Sequence, residues 1–207
     1  NGVNPLPKNH TIESDKLRNK LNINQRKVIG YLGAHGLAQD LSNVIKAAKI
    51  LEEKNPNILF LFIGDGDEKI NLQKLGKNLT NIIFLEAIKK NEISNYLSLF
   101  NIGLAHLKND EIFKNTIPSK IFEMMSCGLP ILLVSPRGEA SKIIIKNKVG
   151  KWVPSGNPDL LALEISNMLK SEDDLKELST NSLIKSNLFR RDNQAKQMLD
   201  IVDKLLS

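Results

Sequence analysis

The sequence predicts an α/β protein built on a Rossmann-like, doubly wound parallel sheet, and three observations carry that expectation. Short apolar runs alternate almost without exception with amphipathic segments of helix length along the 207 residues. The runs are apolar throughout, as in I-L-F-L-F-I at Ile58–Ile63 and I-L-L-V at Ile131–Val134, which is what strands covered on both faces need. Three of them run straight into turn-forming loops, G-A-H-G at 33–36, G-D-G at 64–66 and S-P-R-G at 135–138. Sheets of this kind bind ligands at the carboxyl ends of their strands, where strand order reverses. Those three loops, with 86–89 and 107–117, are therefore expected to share one crevice.

Taken in order, residues 1–26 read as an inter-domain linker with an entry helix at 11–21, and 27–207 as a single domain. K-V-I-G-Y-L-G at 27–33 is the first strand. A helix over 38–54 follows, with Leu41, Val44, Ile45, Ala48 and Leu51 as its apolar stripe and Pro56 beyond its end. Next come a strand at Ile58–Ile63, a helix at 68–75 and a strand at 81–85. A helix is marked by Ile93, Tyr96, Leu97 and Phe100, with Asn91 as its cap, and 102–107 is the fourth strand. After Ile131–Val134 the pattern gives a helix at 139–146 and a short strand at Gly150–Val153. Helices at Pro158–Lys170, 172–188 and 192–206 finish the chain.

The composition narrows the function classes. A formal charge of +6, from 29 Lys and Arg against 23 Asp and Glu, admits nucleic acid, anionic membranes or phosphorylated ligands as partners. The lysines are scattered and aromatics make up only 5%, without the aromatic–basic interleaving of single-strand binders, so nucleic acid is not the expected partner. One cysteine, Cys127, excludes an internal disulfide and fits a reducing compartment. No apolar run is long enough to span a bilayer. The opening N-G-V-N-P-L-P, without methionine, reads as the interior of a longer protein.

The stretch 115–135, N-T-I-P-S-K-I-F-E-M-M-S-C-G-L-P-I-L-L-V-S, concentrates the candidate chemistry. Pro118 suits a first helical turn, Thr116 is placed to cap free amides, and Gly128 followed by Pro130 marks the helix end. Ser119, Lys120 and Glu123 share one side of the helix, leaving Ile121, Phe122 and Met125 for the core. A carboxylate and an amine at a loop-to-helix start suit a polyhydroxyl, anionic ligand. The alternative is a solvent pair between Lys120 and Glu123. Gly33 and Gly36 read as a phosphate loop or as plain turn glycines. His35 is a ligand contact or an idle loop histidine, and Glu139 a helix cap or a site residue. His10 and His106 read as structural, and Asp65 as a turn former. No His, Cys, Asp and Glu set has metal-ligand spacing, so no metal is expected.

These residues resemble the C-terminal, nucleotide-sugar-binding half of glycosyltransferase family 4 enzymes, which have the GT-B architecture of two Rossmann-like domains. Asn1-Gly2-Val3-Asn4 resembles the N-G-V-D turn entering that half, 33–36 its phosphate loop, and G-D-G ending at Gly66 its second strand turn. P-S-K-I-F-E-M-M-S-C-G-L-P at 118–130 resembles the helix carrying the second glutamate of an E-x7-E motif. Together with G-A-H-G-L-A-Q at 33–39 it is similar to a bacterial branch that adds amino sugars to surface polysaccharides, including lipopolysaccharide. The resemblance implies that Glu123 binds the ribose and that the residue eight places earlier faces the transferred sugar. That residue is Asn115 rather than glutamate. The family's usual Arg and Lys for the diphosphate are replaced by Ala34, His35, Gln39 and Asp40, which leaves Lys120 and Arg137 as the nearest cations. It further implies that Ala87 and Ile88 lie where the base sits and that Thr116, Ile117 and Ser119 line the donor.

The function so implied is the donor-binding domain of a retaining transferase moving a sugar, expected to be an amino sugar, from a UDP-sugar to a lipid-linked or polysaccharide acceptor. No cofactor is expected beyond that donor. The acceptor would be held by an N-terminal domain outside these residues, and the protein would be cytoplasmic, with peripheral contact at the inner face of the cytoplasmic membrane. The C-terminal half of a UDP-sugar epimerase and a basic, non-enzymatic interaction module are the competing readings.

Overall fold

The six apolar runs assemble into one parallel sheet. The computed structural model describes Gly2, Val3 and residues 12–206; Asn1, Asn4, His10 and Thr11, named above, lie outside them. The strands are β1 (Lys27–Leu32), β2 (Ile58–Ile63), β3 (Ile82–Leu85), β4 (Ile102–His106), β5 (Ile131–Val134) and β6 (Gly150–Val153). They lie in the order β3-β2-β1-β4-β5-β6, every neighbouring pair parallel. The chain builds outward from β1 to β3, then returns to lay β4 on the other side of β1. Strand order therefore reverses between β1 and β4, and that gap is the expected ligand position.

Alternate residues of β2 and β5 feed two separate cores, which is why those runs are apolar at every position. Phe60, Phe62, Leu132 and Val134 face α2 (Leu41–Lys54) and α7 (Pro158–Lys170), packing on Val44, Ala48, Leu161 and Ile165. Leu59, Leu61, Ile131 and Leu133 face the other way, onto Ile121, Phe122 and Met125 of α5 (Lys120–Ser126) and Ile144 of α6 (Glu139–Asn147). α1 (Ile12–Leu21) joins this second layer through Leu17 and Leu21, and its Arg18 donates to the Leu99 carbonyl at 2.8 Å. Fully burying one such side chain is worth about 1.5–3 kcal/mol, so both faces are needed to hold the sheet. α3 (Lys69–Leu75) and α4 (Ile93–Leu97) are short crossovers. α8 (Glu172–Ser186) closes the amino-terminal end of the sheet, where Ser182 donates to the Leu129 carbonyl at 2.7 Å and Ser179 to the Gly128 carbonyl at 2.6 Å. α9 (Arg191–Leu206) starts beside the chain's beginning, its Arg191 amide donating to the Val3 carbonyl at 3.1 Å.

Four boundaries differ from those expected. α2 starts at Leu41, because 37–39 form a 3-10 turn closed by Asp40 in the left-handed region at φ 40°. α4 follows a 3-10 turn at Lys90–Glu92, which places Glu92 rather than Asn91 at its start. α8 gives way to a 3-10 turn at Asn187–Phe189. α5 begins at Lys120, so Pro118 lies ahead of the helix, and Thr116 does not cap it. The Thr116 amide instead closes the 3-10 turn Glu111–Asn115 onto the Phe113 carbonyl at 3.0 Å. Proline disfavours the helical region in the residue before it, which keeps 116–117 out of the helix. The far end of α5 is as expected: Gly128 sits at φ 68° and the Leu129 amide reaches back to the Met124 carbonyl at 3.0 Å.

The loops leaving β1 and β2 touch backbone to backbone. A Cβ on Gly64, which has φ 145°, would stand 2.0 Å from the Gly33 carbonyl oxygen. Gly64→Ala thus combines a forbidden contact with a strained φ. It is expected to cost about 2 kcal/mol or more in urea unfolding, with the m-value unchanged.

Candidate functional site

The interlock of these two loops fixes the site. The His35 amide donates to the Asp65 carbonyl at 2.8 Å, and the Glu68 amide donates to the His35 carbonyl at 2.9 Å. A Cβ on Gly66 would lie 2.5 Å from that same carbonyl oxygen. Asp65 is the turn former expected, its carboxylate accepting from the Gly66 amide at 2.8 Å. Gly64 therefore meets Gly33, and Gly66 meets His35, across the carboxyl ends of β1 and β2.

His35 does not project from its loop. Its side chain is fully buried among Tyr31, Phe62 and Phe84, with ring centroids 5.9–6.3 Å away, and neither ring nitrogen has a hydrogen-bond partner. Burial, with Lys69 and Lys120 nearby, pulls its pKa down to about 4. Lys69, at the start of α3, is also buried and pairs with Glu86 at 2.7 Å. His106, at the end of β4, is structural as expected: it is buried, with Nε2 3.0 Å from the Asn43 amide nitrogen, and burial lowers its pKa to about 4.

α5 delivers the other side of the site. The alternative of a solvent pair is not realised, for Lys120 and Glu123 make no ion pair. The Lys120 amine instead lies 3.7 Å over the centre of the Tyr31 ring, a cation–π geometry. It is also 2.7 Å from where a Cβ on Gly33 would stand. Burial lowers the pKa of that amine to about 7, with Glu123 pulling the other way. The Tyr31 hydroxyl donates to the Ala34 carbonyl at 2.7 Å, and burial raises its pKa. Glu123 is half-buried, one turn along the same face from Lys120, while Ser119 at the helix start is exposed.

The remaining predicted residues form a second group. Asn115 is exposed at the end of its 3-10 turn, five residues ahead of α5, and so does not cap that helix. Ile117 packs into the core beneath it, as Ile88 does beyond β3. The S-P-R-G loop presses on this segment so closely that a Cβ on Gly138 would lie 1.9 Å from the Lys114 carbonyl oxygen. Arg137 is exposed, its guanidinium 5.8 Å over the Trp152 ring, and Trp152 is held by an indole N–H donated to the Ser135 carbonyl at 3.1 Å. Glu139 does not cap α6. Ser141 does so through the Gly138 amide at 2.9 Å, and Glu139 pairs with Lys142 at 2.6 Å. The structure thus joins Gly33, Gly36, His35, Gly66 and Lys120 in one group and Asn115, Thr116 and Arg137 in another, with Glu123 on the Lys120 side.

Tyr31, Lys69 and Trp152 escaped the sequence reading. Tyr31 stands in an apolar strand and looks like core, and nothing local announces that Trp152 supports Arg137. Among the described residues no group of three or more His, Cys, Asp and Glu is placed to hold a metal ion, and no helix is long and apolar enough to cross a membrane. Two surface concavities lie at the opposite, amino-terminal end of the sheet. One of about 530 Å³ is lined by Lys148, Lys151 and Asp174, the other of about 360 Å³ by Asn101, Cys127 and Ser179.

The strand order and the paired glycine loops define a doubly wound, Rossmann-like domain. The chain belongs to the glycosyl transferases group 1, whose family model matches residues 13–183, and this is the transferase class the sequence resemblance implies. Among curated proteins no sequence matches it. It is similar in fold to the Anabaena protein HepE, in a structure holding UDP and glucose, with a TM-score of 0.82 at 18% identity, covering 100% of this chain and 55% of that one. It is similar as well to a Rickettsia africae glycosyltransferase, with a TM-score of 0.80 at 19% identity over 100% of this chain and 56% of that one. The C-terminal domain of the Francisella tularensis glycosyl transferase LpcC matches 92% of this chain with 100% of its own, at a TM-score of 0.74 and 18% identity. The GT-B fold expectation is met; this chain spans about half the length of the two longer relatives.

Two buried neutral histidines make stability depend on acid. Both rings must charge on unfolding, so the unfolded chain binds more protons between their folded pKa of about 4 and the ordinary 6.5. The share of stability set by these two rings should be flat above pH 6.5 and fall from there towards pH 4, by about 2–3 kcal/mol for each ring. Chemical unfolding across that range, compared with His106→Asn, checks the slope: the variant should lose roughly half of it.

Proposed function

We propose that residues 27–207 are the donor-binding domain of a glycosyltransferase that takes a UDP-sugar, with residues 1–26 leading in from a separate acceptor-binding domain. The observation that carries this reading is the meeting of the Gly33 and Gly66 loops with Lys120 and Glu123 of α5, at the switch point between β1 and β4, in a chain of this family. The similarity in fold to HepE structures holding UDP or UDP-glucose supports the choice of nucleotide.

In this reading the diphosphate lies along the 33–36 loop, whose Gly33, His35 and Gly36 amides already donate to the Ile63 carbonyl, the Asp65 carbonyl and the Gln39 side chain, so that Lys120 and Arg137, in place of the family's usual Arg and Lys, carry the anion. Glu123 accepts hydrogen bonds from the ribose hydroxyls. The base lies by Ala87 and Ile88, and Thr116, Ile117 and Ser119 border the donor. Glu139 is the weakest member of the site, since its carboxylate is taken up by Lys142. Bond cleavage leaves negative charge on the departing diphosphate. Preorganised donors in a poorly hydrated site stabilise such charge far better than water does. The transferred sugar would be an amino sugar, moved with retention to a lipid-linked or polysaccharide acceptor at the membrane surface, with no metal required. An epimerase would share the donor site but act without an acceptor.

The 207-residue chain is expected to bind UDP with a Kd in the micromolar to millimolar range, about 4–8 kcal/mol, and to transfer nothing by itself. Glu123→Gln should weaken UDP about tenfold or more, because a charged acceptor contributes about 1.5–3 kcal/mol. Calorimetry with UDP and with pyrophosphate checks this: equal losses for both ligands would remove Glu123 from the ribose.

Asn115 is the residue on which sugar choice is proposed to turn. Exposed ahead of α5 and free of a capping role there, it offers both a donor and an acceptor and carries no charge, whereas the family's glutamate only accepts. In the full-length enzyme, Asn115→Glu should change which UDP-sugars are used while UDP affinity stays within about twofold. Unaltered donor preference in both Asn115→Glu and Asn115→Ala would place sugar recognition elsewhere.

A further inference from the structure

We propose that binding of a diphosphate at the Gly33 loop is coupled to the uptake of one proton by the Lys120 side chain. The inference rests on the donor-site reading above and adds a proton balance to it. Lys120 sits where a phosphate-binding cation should be, yet it lacks the anionic partner that normally holds a lysine charged. Its amine lies 3.7 Å over the Tyr31 ring, against Gly33; the ring face favours its charge but is weaker than an anion, and the amine makes no ion pair with Glu123.

The groups packed around it are neutral or already engaged. From β1, the Tyr31 phenol donates to the Ala34 carbonyl. His35 is buried beside Tyr31 with both ring nitrogens unpartnered, and His106, at the end of β4, is buried against Asn43. Lys69 of α3, which acts on His35, is paired with Glu86. Asp65 accepts from the Gly66 amide, and Asp40 from the Ser42 hydroxyl. Glu123 is the carboxylate on the amine's own helix, acting on it from beyond ion-pair distance.

An amine in this setting gives up its proton near neutrality, at about pH 7. A diphosphate brought against Gly33 supplies the missing anion at close range, which favours the charged amine. The step moves one proton from solvent to Nζ; no covalent bond of the ligand forms or breaks, and the proton returns to solvent when the nucleotide leaves. His35 strengthens the coupling by what it lacks, since a neutral ring without partners lays no competing charge beneath the amine. The diphosphate is thus met by full positive charge only when it is present.

Titration calorimetry of the 207-residue chain at pH 8, in HEPES and in Tris, measures the proton count from the difference in buffer ionisation enthalpy. UDP is already fully ionised there, since phosphate esters titrate near pH 6 or so, so any uptake belongs to the protein. About 0.5–1 proton should be taken up with UDP and none with uridine, and UDP affinity should fall about 3–10-fold per pH unit between pH 7 and 9. Lys120→Arg, permanently charged, should bind UDP with uptake below about 0.2 proton. UDP binding without uptake, equal uptake with uridine, or undiminished uptake in Lys120→Arg each overturns the proposal and leaves the nucleotide reading in place. Absence of UDP binding overturns the nucleotide reading and the coupling together. Should the arginine variant not fold, the UDP and uridine titrations of the unmodified chain decide.

Discussion

The backbone contact between Gly33 and Gly64 is the constraint on which the rest of the site depends. Two parallel strands end side by side, and the loops leaving them must diverge or interlock. Here a Cβ on Gly64 would stand 2.0 Å from the Gly33 carbonyl oxygen, so only glycine lets the loops close. Closing them buries His35, ties its amide to the Asp65 carbonyl, and leaves a floor of Tyr31, Phe62 and Phe84, with the Lys120 amine resting on the Tyr31 ring. Because strand order reverses between β1 and β4, α5 starts above that same floor. Loop, floor and helix are brought together by one topological fact.

The fold was legible in the sequence because hydrophobic patterning and topology are tied together physically. A strand that feeds two cores must be apolar at every position, as Ile58–Ile63 is, and continuous apolar runs between helices leave little but a doubly wound parallel sheet. Gly128 and the runs at Ile131–Val134 and Gly150–Val153 were equally plain, since a left-handed helix stop and a buried strand each demand particular residue types. Boundaries were less legible where short-range chemistry competes. Leu37–Gln39 and Glu111–Asn115 have helix-like composition but close as 3-10 turns, and Pro118 reads as a helix start although its effect on the preceding residue delays α5 to Lys120.

The site residues were named from sequence, but their states were not readable from it. Lys120 and Glu123 three apart look like a solvent pair, and only the tertiary position of Tyr31 shows the amine drawn away over an aromatic face. His35 in a glycine loop looks exposed, yet the Gly66 loop covers it. Arg137 looks like a lone loop cation, whereas Trp152, fifteen residues on, lies beneath it. In each case the deciding neighbour comes from a different strand, and pairwise contacts across a parallel sheet leave no local trace in the chain.

What distinguishes this site from the surrounding core is a set of local violations that cluster in space. A fully buried imidazole with two unpartnered nitrogens and an amine held near neutrality are each destabilising, since a buried polar group without a partner costs about 1–3 kcal/mol. Asn81 Oδ1 and His106 Nδ1 are also buried without partners, but each of those side chains makes one hydrogen bond, whereas His35 makes none. A folded domain tolerates such costs where a ligand relieves them, and here both fall within the first turn of chain after β1 and the helix facing it. A glycine-closed loop with side chains left uncompensated beside it is where this domain concentrates its local cost.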